Sequence, residues 1–193
     1  MIHIVTIVGS ARPGNYTAKA LAVAQRELRR HDDVMVTEID PAVLKLAIPG
    51  TGMDSSDRDW LRKTVASADG VILATPEYHG TFSSLMKLVI ENLGFPSALT
   101  GKPVALLGVA SGRIGAIKSL EHLRSVGGHV GALVLPNPIS VARVRTVFDE
   151  HGNCLDATIE TDIRGLAVSL IDYIRHTTCP RVSIEQQIRA ETP

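Results

Sequence analysis

Ile2-His3-Ile4-Val5-Thr6-Ile7-Val8-Gly9-Ser10-Ala11-Arg12-Pro13-Gly14-Asn15-Tyr16-Thr17 is the stretch on which the reading of the whole chain turns. Its first seven residues are almost all apolar or β-branched, which suits a strand covered on both faces by other layers. The run breaks at Gly9 into small and polar residues, and a helical pattern begins at Tyr16. A strand feeding a short loop and then a helix turns unpaired backbone N–H groups and the positive helix end toward one point. Such a point suits an anion, above all a phosphate.

What the loop lacks narrows the phosphate. A Walker loop needs Lys followed by Ser or Thr after its last glycine, and Asn15-Tyr16 follows Gly14. The G-x-G-x-x-G spacing that brings backbone close to a pyrophosphate is also missing. The hydroxyls of Ser10 and Thr17, the amide of Asn15 and the guanidinium of Arg12 instead suit a terminal phosphomonoester, with Arg12 able to give charge-assisted bonds. On these residues alone an ordinary strand-to-helix turn, capped by Asn15 or Ser10, stays open as the alternative.

Working outward, strand-like runs at 2–8, 34–39, 70–75, 103–109 and 130–135 alternate with helical patterns at 16–30, 56–67, 82–92, 115–126 and 156–176. Five such units predict an α/β fold: a doubly wound, five-stranded parallel sheet in a three-layer sandwich. The 193 residues, 45% of them hydrophobic, suit one domain, expected over 1–178 with a polar tail at 179–193. Twenty basic and twenty acidic residues offer no general attraction to nucleic acid or an anionic membrane. No apolar run approaches the roughly 20 residues of a membrane span. Cys154 and Cys179 lack metal or phosphatase spacing, and the chain opens on a strand without a signal-like segment, so a cytoplasmic location is expected. His3, His31, His122, His129, His151 and His176 show no metal-ligand spacing.

In a doubly wound sheet the ligand sits beyond the carboxyl ends of the strands, where strand order reverses. The loops after the first, third and fourth strands should therefore carry the unusual chemistry. The second of these is Pro76-Glu77-Tyr78-His79-Gly80-Thr81 and the third Ala110-Ser111-Gly112-Arg113-Ile114-Gly115. Aromatic residues are only 4% of the chain, so Tyr78 and Phe82 at a strand end suggest a flat ligand. Pro76 is expected to fix the turn, Gly80 to admit close backbone approach, and Thr81 to cap the next helix.

Taken together, Gly9-Ser10-x-Arg12 with Asn15-Tyr16-Thr17, then Thr75-Pro76-Glu77-Tyr78-His79-Gly80-Thr81 with Leu85 and Lys87, resemble the NADPH-dependent FMN reductase family. These are flavodoxin-like flavoproteins that include quinone, azo-dye and chromate reductases. The resemblance spans roughly residues 1–135, with Asn15 where many members have Ser and His79 where many have Asn. It implies that Ser10, Arg12, Asn15, Tyr16 and Thr17 hold the FMN phosphate. It further implies that Pro76, Glu77, Tyr78, His79, Gly80 and Thr81 border the isoalloxazine, and that Ser111, Gly112 and Arg113 close the other side. Hydride from NADPH or NADH would pass through FMN to a flavin, quinone, azo compound or metal oxyanion in a ping-pong cycle. No protein acid or nucleophile is then needed, because the cofactor carries the chemistry. The alternative is a flavodoxin-like electron shuttle or flavin-binding module without turnover, although shuttles dock basic partners through acidic surfaces and this chain is neutral.

Other readings compete at single residues. Glu77 suits a bond to a backbone amide or a Lys, His79 a solvent-exposed loop, and Arg113 a role toward an anion, because a cation is unfavourable near a helix N-terminus. The apolar residues of 82–92 spread over more than one stripe, which predicts either a subunit interface of a homodimer or homotetramer, with Met86 facing outward, or cover from segment 40–56.

Overall fold

Three adjacent, almost wholly buried strands build the centre of the molecule, their side chains alternating between two faces. The computed structural model describes residues 1–52 and 56–178. Its strands are β1 (Ile2–Val8), β2 (Val34–Ile39), β3 (Gly70–Tyr78), β4 (Thr81–Phe82), β5 (Pro103–Val109), β6 (Leu133–Val134) and β7 (Ile139–Val141). The parallel order is β2-β1-β3-β5-β6, and β7 continues the outer edge along β5. Strand order reverses between β1 and β3, so a crevice opens above their carboxyl ends.

The helices are α1 (Tyr16–Leu28), α2 (Ser56–Ser67), α3 (Ser84–Asn92), α4 (Ile117–His129), α5 (Val144–Val147) and α6 (Ala157–Tyr173). Ile4, Val8, Ile72, Ala74, Ala105 and Leu107 point to one face and pack with α1 and α6. Val5, Ile7, Val71, Leu73, Val104 and Leu106 point to the other and pack with α2, α3 and α4. The period of two thus divides one continuous apolar run between two cores. Thr6, inside the first core, is satisfied there by Gln25, whose Nε2 donates to its Oγ1 at 2.8 Å.

The strand count is seven instead of the expected five, for two local reasons. Pro136, Asn137 with φ 57° and Pro138 break the fifth strand into β6 and β7. The third strand runs past Thr75 and folds back as the antiparallel β4. Pro76 therefore lies within β3, opposite Val109, and does not make the turn.

The helix expected at 82–92 starts at Ser84, and its cap is Ser83, whose Oγ accepts from Met86 N at 3.0 Å. Thr81 and Phe82 belong to β4, and Phe82 is buried in the second core instead of facing a ligand. Met86 is fully buried, so it does not face outward. Segment 40–56 supplies part of the cover: Asn92 Nδ2 donates to Ala47 O at 2.9 Å, and both residues are buried. That covers part of the apolar face from within the chain, while Leu85 and Leu88 stay half-buried. The tail 179–193 lies outside the described residues.

Candidate functional site

The loop after β1 is clamped before it can reach solvent. Gly9 N donates to Ala74 O at 2.7 Å, and Ser83 Oγ donates to Gly9 O at 2.6 Å. A Cβ on Gly9 would stand 2.9 Å from Ala74 O and 3.1 Å from Met86 Cε, so only glycine lets the loop sit this close to β3 and α3. Asn15 caps α1, accepting from Ala18 N at 2.7 Å, while its Nδ2 donates to Arg12 O at 2.8 Å and Ser10 O at 3.3 Å. Its side chain thus curls the loop and is engaged within it. What remains for a ligand is the loop's free backbone N–H groups, the Arg12 guanidinium and Ser10 Oγ, which is buried and forms no hydrogen bond within the protein. A buried hydroxyl left unpaired costs about 1–3 kcal/mol, a cost that an anion's oxygen would remove.

The second loop is a two-residue hairpin. Tyr78 pairs with Thr81 and Glu77 with Phe82, leaving His79 (φ 52°) and Gly80 (φ 76°) at the turn. Two consecutive left-handed residues make the hairpin turn whose twist matches the strands. α4 braces both arms: Ser119 N donates to Glu77 Oε2 at 3.1 Å, and His122 Nδ1 lies 2.9 Å from Thr81 Oγ1. Glu77 thus takes the backbone-amide role, and His79 is the exposed turn residue.

The third loop is held from the far edge. Ala110 N donates to Val141 O at 2.9 Å, Ala116 N to Ser140 Oγ at 2.8 Å, and Arg143 N to Gly112 O at 3.0 Å. Ser111, Gly112, Arg113 and Ile114 stay exposed.

These loops enclose two adjoining clefts. The smaller, about 200 Å³, is lined by Ser10, Arg12, Asn15, Tyr16, Thr17, Pro76, Glu77, Tyr78 and Ser111, with Val144 and Arg145. The larger and more open, about 610 Å³, shares Arg12, Glu77, Tyr78 and Ser111 and adds His79, Gly80, Gly112, Arg113 and Ile114. Of the residues expected from the sequence, only Thr81 lines neither; it is turned to His122. Val144 and Arg145 were missed. The signal for them was the β-like Ile139-Ser140-Val141 followed, after Ala142, by Arg143 and Arg145, the pattern of another strand end opening on the same crevice. Among the described residues, the only carboxylate lining either cleft is Glu77, which α4 already engages, so the cations there face little competition.

An orphaned hydroxyl, a loop of free amides and a guanidinium fit a phosphomonoester. The adjoining cleft beside an aromatic ring gives room for a flat group. FMN has both parts.

Comparison with known proteins agrees. The NADPH-dependent FMN reductase family model matches residues 2–145. The NAD(P)H-dependent FMN reductase of Pseudomonas aeruginosa is 27% identical over 164 residues, 80% of this chain and 85% of that protein. An NADPH azoreductase of a Bacillus strain is 39% identical over 113 residues, covering 58% of this chain and 63% of its own. By structure, the flavoenzyme NAD(P)H:acceptor oxidoreductase FerB of Paracoccus denitrificans superposes with a TM-score of 0.76 at 20% identity, over 91% of this chain and 98% of that one. An archaeal flavodoxin gives 0.61 at 13% identity, over 91% and 100%. At these identities the two structures speak for the fold alone. From the match over residues 2–145, the chain belongs to the NADPH-dependent FMN reductase family, flavodoxin-like enzymes that use FMN and take electrons from NAD(P)H.

Proposed function

We propose that the smaller cleft holds the phosphate end of FMN and the larger one its ring, with NAD(P)H and then a flat oxidant entering over the hairpin. When bound, FMN supplies the redox chemistry, taking hydride from the nicotinamide and returning electrons to the acceptor. The protein's part is binding, orientation and electrostatics. Ser10, Arg12, Thr17 and the amides of the first loop bind the phosphate. Tyr78 and the amides of the hairpin orient the ring, and the bonds from Ser119 and His122 keep the hairpin in place. Ser111, Gly112 and Arg113 form the far wall.

The observation that carries this reading is Ser10 Oγ, buried and unpartnered in a loop whose amide side chain, Asn15, is engaged in shaping it. The acceptor belongs to the class of quinones, azo compounds, flavins and metal oxyanions, since the larger cleft is open and offers no dedicated side-chain code. Anaerobic addition of NADPH to the flavin-loaded protein tests enzyme against passive shuttle. Rapid loss of flavin absorbance, restored by an added quinone or azo dye, is expected. Slow bleaching with no turnover would favour the shuttle.

We also propose a homodimer or homotetramer, supported by the full exposure of Phe95 and the 45% exposure of Trp60. Sedimentation decides it, a monomer being the adverse result. A cytoplasmic location is part of the same proposal. It is supported by the lack of any helix, among the described residues, long and apolar enough to cross a membrane.

A further inference from the structure

We infer that Arg145 is a second cation for the cofactor phosphate, standing opposite Arg12 and setting the preference for FMN over uncharged riboflavin. The inference rests on the FMN reading above. Three observations lead to it. Arg145 lines the smaller cleft together with Ser10, Arg12 and Thr17, and is absent from the lining of the larger one. Arg12, by contrast, lines both and lies 4.9 Å from the centre of the Tyr78 ring, at the boundary between the clefts. The phosphate end therefore has one cation wholly its own, and that cation is Arg145.

The second observation is how the backbone delivers it. Arg143 adopts φ 47°, a left-handed bend that turns the chain sharply from β7 into α5. The bend is held by bonds from Arg143 N to Gly112 O and from Val144 N to Ala110 O, each 3.0 Å. Val144 and Val147 then anchor α5 in the first core. Arg145 is exposed, yet its Cα is fixed by the wall of the cleft. Strain of this kind persists only where its surroundings hold it, and here they hold a guanidinium at an anion's door.

The third is charge. No salt bridge among the described residues engages Arg145 or Arg12. A phosphomonoester carries about −1.5 to −2 charges near neutral pH, more than one guanidinium neutralises. Two unpaired arginines match that charge, and Ser10 Oγ supplies a neutral partner between them.

The test is flavin binding to the full chain, read by quenching of flavin fluorescence, for FMN and riboflavin with wild type, Arg145→Ala and Arg145→Lys. Arg145→Ala is expected to weaken FMN about tenfold and to leave riboflavin within about twofold, with Arg145→Lys between, because Lys keeps the charge and loses the planar fork. The FMN preference of wild type should shrink as salt rises and shrink less in Arg145→Ala. Equal weakening of both flavins, or unchanged FMN binding, would overturn the assignment of Arg145 while leaving the FMN reading standing. A folded wild-type protein that binds neither flavin would overturn that reading and this inference with it.

Discussion

Arg12 and Tyr78 meet across the cleft, with the guanidinium carbon 4.9 Å from the centre of the ring. One residue comes from the loop after β1 and the other from the hairpin after β3, so the contact joins the two halves of the site. An exposed cation–π contact contributes about 0.5–1 kcal/mol, whereas a hydrogen bond to a charged group contributes about 1.5–3 kcal/mol. A bound phosphate therefore outcompetes the ring for Arg12. Because Arg12 lines both clefts, it can serve the phosphate without leaving the boundary.

Arg12→Ala should accordingly weaken FMN by tenfold or more while riboflavin affinity barely changes, since riboflavin has no phosphate to lose. Titration of the two flavins is the measurement. Equal loss for both would mean that Arg12 supports the loop and not the anion.

Tyr78→Ala should slow flavin reduction by NADPH more than it lowers fold stability. Tyr78 is only half-buried at a strand end, so its removal leaves both cores intact, but a ring stacked beside it would lose about 0.5–1.5 kcal/mol of contact and its positioning. Stopped-flow reduction set beside a denaturant melt separates the two effects. Normal reduction would move the isoalloxazine away from this hairpin.

His79→Asn bears on the hairpin itself. His79 occupies a left-handed conformation at φ 52°, which Asn adopts more readily than most residues. This gives a physical reason for the Asn found at this place in many members of the family. The variant should keep its reduction rate and gain up to about 1 kcal/mol of stability, with an altered flavin potential at most. A folded, FMN-binding variant unable to be reduced would show that an acid at position 79 is essential.

The sheet and the three loops could be read from the sequence because their signals are local. Ile2–Val8 is apolar but for His3 and Thr6, Pro103–Val109 is apolar throughout, and small or polar residues punctuate the strand ends. What escaped was non-local. Pro76 resembles a turn former, yet β5 lies beside it and extends the strand, so the turn falls three residues later, at His79. The broad face of α3 is the same in sequence whether covered by a partner or by 40–56, and it takes the bond from Asn92 to Ala47 to show that 40–56 supplies part of the cover. Arg145 sits on a four-residue helix too short to show a period, placed by backbone bonds to a loop some thirty residues earlier.

The pairing of α1 with α6 gives the fold a dependence on acid that can be tested apart from the flavin. Arg164 Nη1 donates to Glu27 Oε2 at 2.7 Å, and its Nη2 to Glu160 Oε1 at 2.6 Å, so one guanidinium on α6 reaches both its own helix and α1. That hydrogen bond, ahead of the pull of nearby Arg30 and His31, holds the Glu27 carboxyl below its ordinary value of 4.5. A carboxyl whose pKa is lower folded than unfolded stabilises the fold above the unfolded value, and that stability is lost as pH falls through the folded one. Glu27→Gln should therefore cost up to about 1 kcal/mol at neutral pH, and its deficit against wild type should shrink as the pH falls into acid below 4.5. Denaturant melts of the two proteins at neutral pH and across the acid range provide the comparison. A deficit of the same size in acid would mean that Glu27 acts through packing against α6 and not through its charge.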